Sequence, residues 1–287
     1  MTTTPPTVHV RPEPRLDHVM VLLDEAAFRD IADSGFLGER FARMRRKEAD
    51  SSVAGQYATL GIAGGSTLIE LFGSIPGGAP LVGGLVFSFE QPGSSEAARA
   101  LLDESGQVRY YHDLVRRALP ESTDQQPWYH LISVDLGEAS PFVLFLNEVT
   151  PQYFASIGAT PTDEGRFRRG DYLDAVLGAV PAGSRLLRDI TGITMTASAQ
   201  RAPRIADALA ALGYEVTEAA EELVLTGFDL TLRLRPSVEG AERVTEIQLA
   251  LEPGEHDAGT VTELRFGQTS VLRIGPADTA RWTFGNA

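Results

Sequence analysis

Three side chains stand where their chemistry is costly. His18 interrupts the apolar run Arg15-Leu-Asp-His-Val-Met-Val-Leu-Leu-Asp24, which reads as a buried strand. Such a strand has little use for an imidazole unless something binds it. Glu70 sits between Ile69 and Leu71, and Glu148 follows the run Leu144-Phe-Leu-Asn147. A carboxylate in such surroundings is expensive unless it is paired or metal-bound. A backbone carbonyl could satisfy His18, and a buried arginine either glutamate, without any chemistry. Together, one imidazole and two carboxylates suit Fe(II), Mn(II), Ni(II) or Zn(II). His130, in Trp128-Tyr-His-Leu-Ile132, can supply a second imidazole or donate a proton, and it is the expected catalytic residue. His112 lies in a polar stretch, and His9 and His256 fall in expected loops. Phe87, Trp128 and Tyr129 are the aromatic residues expected to stack on a substrate.

Composition narrows the chemistry. The 287 residues contain no cysteine, which removes disulfides, thiolate metal sites and cysteine nucleophiles. The net charge of −14 argues against nucleic acid and against an anionic membrane surface as partner. No apolar run reaches the roughly 18 residues that a membrane span needs. The N-terminal Met-Thr-Thr-Thr-Pro-Pro lacks the basic start and apolar run of a secretory signal. A cytoplasmic protein is expected, and its Ala/Arg/Gly/Leu-rich composition suggests a bacterial one.

The elements that must position these side chains repeat. Residues 1–13 read as a flexible tail. In 14–75, the His18 strand is followed by a helical stretch from Glu25 to about Met44 that Ser34-Gly35 can break into two pieces, an exposed strand or loop, a strand from Gln56, a Gly64-Gly65 turn and a strand ending in Phe72. After the Gly/Pro-rich linker 73–80, the order recurs over 81–155 as strand, helix and strands. A helical connector covers 156–187, and the pattern returns over 188–287. The fold class is α+β: repeated βαβββ modules with mixed curved sheets around a central cavity and helices outside. Arg45, Arg46 and Lys47 read as a solvated run. Gly64-Gly65 is a turn rather than a phosphate loop, since no Lys-Ser/Thr follows it.

The strand carrying Leu16-Asp-His-Val-Met-Val21 and the closing strand Thr67-Leu-Ile-Glu-Leu-Phe72 resemble the vicinal oxygen chelate superfamily of glyoxalases, bleomycin-resistance proteins and extradiol dioxygenases. Asp17-His18, Ile69-Glu70-Leu71-Phe72, Glu90-Gln91-Pro92-Gly93, Pro127-Trp128 and Asn147-Glu148 are similar to a glyoxalase-like group within it. The resemblance implies a divalent metal held by His18, Glu70 and Glu148. The fourth ligand place falls in Gly84-Leu-Val-Phe87, which offers no donor. Three protein ligands with open positions imply an Fe(II)-dependent oxygenase acting on a small metabolite, with Mn, Ni or Zn as other occupants. Alternatives are a metal-dependent isomerase or lyase, with His130 as base, and a non-enzymatic protein that sequesters a ligand. The expected partner is a small molecule, and the protein itself a monomer or homodimer.

Overall fold

The computed structural model describes residues 10–51, 55–73, 81–118, 124–181, 183–238, 240–253 and 262–285. Most of the expected tail and linker, together with His9 and His256, lie outside the described residues.

The first sheet takes eight strands: β1 (Arg15–Leu22), β2 (Arg43–Ser51), β3 (Gly55–Ala63), β4 (Leu68–Phe72), β5 (Gly83–Phe89), β6 (Tyr110–Ala118), β7 (Gln125–Val134) and β8 (Phe142–Val149). Their order is β2-β3-β4-β1-β5-β8-β7-β6, so two four-stranded halves meet at the β1–β5 seam. That seam is antiparallel, with His18 opposite Val86. β1 runs parallel to β4 and β5 parallel to β8, and each parallel pair needs a crossover. Helices α1 (Glu25–Ala32) and α2 (Ser94–Ser105) begin those crossovers.

The helical stretch is broken at Ser34-Gly35, the place the sequence offered for a break, and α1 is its first piece. Asp24 caps its start by accepting from the Ala27 amide at 2.8 Å. The helix stops at Ala32, a single π-helical turn follows over Leu37–Phe41, and Arg43 already belongs to β2. The Arg45–Lys47 run therefore lies on a strand.

Residues 187–284 repeat the plan. β9 (Leu187–Ala197), α5 (Arg201–Ala211), β10 (Glu215–Ala219), β11 (Glu222–Gly227) and β12 (Leu230–Pro236) make one half. β13 (Arg243–Leu251), β14 (Thr262–Phe266), β15 (Ser270–Ile274) and β16 (Thr279–Phe284) make the other. The sheet order β10-β11-β12-β9-β13-β16-β15-β14 matches the first sheet position for position. The stretch 188–287, read as one module, thus holds two four-stranded halves. In the second half no helix lies between β13 and β14 among the described residues, and β13 pairs antiparallel with β16 where β5 pairs parallel with β8. A parallel return requires a crossover, and an antiparallel pair does not.

The helices cover one face of each sheet and meet between the two. α2 packs on α5, α1 packs on β14, and one continuous core runs from Leu16 to Phe284. Phe87 belongs to this layer: it is fully buried, edge-on to Tyr214 at 5.9 Å. Asp189 ties the β3–β4 turn to β9. Its Oδ1 accepts from the amides and hydroxyls of both Ser66 and Thr67 at 2.8–3.0 Å. The other face of the first sheet is left for the connector. Its helices α3 (Pro151–Ser156) and α4 (Arg169–Leu177) close over that face. Among the described residues no helix is long and apolar enough to cross a membrane.

Candidate functional site

A cavity of about 830 Å³ lies between the free face of the first sheet and the connector. β1 contributes Asp17, His18 and Met20, β4 contributes Leu68 and Glu70, β8 contributes Phe145 and Asn147, and α4 contributes Arg169 and Tyr172. Neighbouring residues on a strand ordinarily point to opposite faces. Asp17 and His18 share the cavity because β1 carries an irregularity: Leu16 opposes Phe87, His18 opposes Val86, and Asp17 is the extra residue.

This bulge sets up the central arrangement. Asp17 Oδ1 stands 2.6 Å from His18 Nδ1 and 2.7 Å from an Nη of Arg169. Burial works to raise the Asp17 pKa, but the Arg169 guanidinium and the bond from His18 outweigh it and hold the carboxyl below its usual value. An ionised carboxylate only accepts, so Nδ1 carries a proton. His18 Nε2 is then turned toward Glu70, with Oε2 3.6 Å away, too far for a hydrogen bond.

The walls are aromatic. Trp128 lies edge-on to Tyr129 at 4.4 Å and donates from Nε1 to the Tyr172 hydroxyl at 3.2 Å. The Arg169 guanidinium covers the Tyr172 ring at 4.8 Å. Burial pushes the Tyr172 phenol up to about 12, so it remains a proton donor across the physiological range.

α4 is held from below. The Arg169 amide donates to Glu90 Oε1 at 2.9 Å, and the Phe167 amide to the Glu90 carbonyl at 2.8 Å. Arg43 donates to Asp174 and to the Gly178 carbonyl, and Arg45 to the Val176 carbonyl.

The sequence of residues 16–284 matches the family of unknown function DUF5829. The chain belongs to that family. No curated protein matches the DUF5829 chain. Among solved structures it is similar to a hypothetical protein from Staphylococcus aureus, with TM-score 0.55 and 12% identity over 92% of this chain and 99% of that one. That likeness is one of fold. A Mn(II)-bound glyoxalase from Novosphingobium aromaticivorans follows at TM-score 0.44 and 8% identity, covering 93% of this chain and 80% of the other. An extradiol ring-cleaving dioxygenase from B. fuscum has TM-score 0.42 and 13% identity, covering 98% and 75%. Neither bears on the chemistry of the DUF5829 site.

His18 and Glu70 come together as expected, and Trp128 and Tyr129 line the same cavity. Glu148 does not join them. Along β8 the side chains alternate, with Phe145, Asn147 and Val149 in the cavity and Glu148 on the helix side, only 7% exposed. There Glu148 accepts from the Gly93 amide at 2.8 Å and the Ser95 amide at 2.6 Å, capping α2. The carboxylate in the apolar run is satisfied by a helix start, and one step along a strand changes the face. Asn147 holds the cavity position instead, beside Ser88 as Glu70 is beside Met20, and its Oδ1 is buried without a partner.

His130 is displaced for the same reason. It lies opposite Glu148 in the β7–β8 ladder, hence on the helix side, where its ring stacks on His112 at 6.2 Å. Phe87 likewise faces the inter-sheet core. His18, Glu70 and Glu148 therefore do not fit a three-ligand metal centre. Among the described residues no group of three or more His, Asp or Glu surrounds a common point. What remains in the DUF5829 cavity is the His18–Glu70 pair backed by Asp17.

Asp17, Asn147, Arg169 and Tyr172 had no assigned role from sequence. Asp17 carried a signal, a charge directly beside the buried histidine. Arg169 and Tyr172 lie in the connector, where periodicity says nothing of a cavity.

Proposed function

We propose that the protein is an enzyme that moves a proton on a small molecule held against the first sheet, an isomerase or lyase in reaction type. One observation carries this reading: Asp17 holds His18 Nδ1 at 2.6 Å and leaves Nε2 facing the cavity. A neutral imidazole so held presents a lone pair at Nε2, the posture of a general base. After Nε2 accepts a proton, the imidazolium lies between the Asp17 and Glu70 carboxylates. The Tyr172 phenol, protonated up to about pH 12, can donate to an oxygen on which charge develops. Arg169 keeps Asp17 ionised and joins α4 to the centre. The paired-module plan and the residues around His18 and Glu70 agree with a vicinal oxygen chelate protein.

A second reading has an observation of its own. The 3.6 Å between His18 Nε2 and Glu70 Oε2 suits two donors to one divalent ion, and a carboxylate behind a ligating imidazole is a recurrent arrangement. Under it the metal-dependent oxygenase of the sequence reading returns with two protein ligands and the Asn147 amide oxygen on the same wall.

Imidazole proton–nitrogen NMR spectra separate the two readings, since the chain has five histidines. For the neutral ring of His18 the acid–base reading expects Nδ1 protonated and Nε2 bare, unchanged by one equivalent of Zn(II) or Mn(II). A metal-induced shift or broadening confined to His18 would select the second reading. A protonated Nε2 with a bare Nδ1 would remove the base.

A further inference from the structure

The cavity's charge is opposite to the chain's. Against a net charge of −14 for the whole protein, the described residues of the cavity wall include Arg45, Lys47, Arg117 and Arg169 and two carboxylates, Asp17 and Glu70. Arg169 and His18 occupy Asp17. Among the described residues Arg45, Lys47 and Arg117 form no salt bridge, and Glu70 is a carboxylate that acts on Lys47.

Their placement in the sheet is informative. Arg45 and Lys47 lie on β2 and Arg117 on β6, the two outermost strands of an eight-stranded order. All three nevertheless line one cavity, so the sheet curls until its edges face each other across the opening. Both edges bring positive charge to that opening. The Arg117 guanidinium lies on the Trp128 ring, 4.6 Å from its centre, which turns it inward beside an aromatic wall. Although much of the Lys47 side chain is open to solvent, loss of water around its ammonium and the presence of Arg117 both push its pKa down, with Glu70 working against them. Like charges gathered across an opening repel unless an anion sits between them.

Resting on the acid–base reading of the same cavity, we infer that the substrate is a small organic anion whose carboxylate or phosphate is clamped between Lys47 of β2 and Arg117 of β6. Its carbon body lies on Trp128 and Tyr172, and its reacting carbon approaches His18. Arg117, as a guanidinium, can meet two anionic oxygens at once. Arg45, fastened to the Val176 carbonyl at 2.7 Å, links the clamp to α4.

The test is calorimetric titration of the full chain at low salt with three probes of one body: phenyl phosphate, benzoate and neutral benzyl alcohol. Saturable binding of one or both anions is expected, weakening as salt rises, with an affinity loss of tenfold or more in Arg117→Gln. Lys47→Gln should show a smaller loss in the same direction. Phosphate over carboxylate, or the reverse, identifies the anionic group. Equal binding of benzyl alcohol, anion affinity unchanged in both variants, or no anion binding at millimolar concentration overturns the inference. His18→Ala separates it from the reaction centre: anion affinity close to wild type there keeps the clamp whether or not His18 proves to be the base.

Discussion

Arg169 reaches from the first turn of α4 to Asp17 on β1 at 2.7 Å, so the roof and floor of the cavity are joined by an ion pair directly behind His18. Both side chains are close to fully buried, and neither can be removed without leaving the other a buried charge. The pair thus couples the placement of the connector to the posture of the imidazole.

Asp17→Asn should cost about 3 kcal/mol at neutral pH, the usual size for breaking a buried pair by removing one partner. The sign with pH follows from the lowered Asp17 pKa. A depressed carboxyl contributes stability above its unfolded value, near pH 4, and loses it as pH falls through the folded value. Urea denaturation should show the wild-type advantage over Asp17→Asn at pH 7 and see it shrink below about pH 4. A constant difference across that range would separate Asp17 from the charge pair.

Glu148→Gln should destabilise the fold by about 1 to 2 kcal/mol through the lost charge at the α2 start. The His18 imidazole signals and anion affinity should match wild type. A changed His18 environment would return Glu148 to the site.

Tyr172→Phe removes the phenol that burial pushes up to about 12. A raised folded value gives stability that is complete below the unfolded value near pH 10 and is lost as pH climbs toward the folded one. The wild type should therefore lose stability between about pH 10 and 12, and Tyr172→Phe less of it. Denaturation midpoints at pH 9 and pH 11 measure the difference.

Asp189→Ala should loosen the β3–β4 turn from β9, since four donors from Ser66 and Thr67 lose one acceptor. A cost of about 2 kcal/mol is expected from buried donors left unpaired. Gly64→Ala attacks the same junction sterically, because a Cβ there would collide with the Arg188 carbonyl oxygen. Hydrogen exchange should accelerate in residues 64–68 in both variants, and unaltered exchange would show that the junction is held elsewhere.

The sequence alone determined the alternation of strands and helices, since burial patterns with periods near two and near four residues are local properties. It also marked His18 and Glu70, because a polar group inside an apolar run stands out without knowledge of its neighbours. Faces were decided by tertiary structure. Glu148 and Asn147 are adjacent in sequence, and only ladder register places the amide in the cavity and the carboxylate on α2. His130 followed Glu148 through that ladder. Asp17 entered the cavity through a bulge that a strict alternation does not contain. Arg117 and Lys47 meet because an eight-stranded sheet curls, bringing its two edges to one opening, and Arg169 arrives from a connector whose docking no local pattern encodes. A chain specifies which residues must be buried or satisfied, and the packing of distant segments selects the partners that satisfy them.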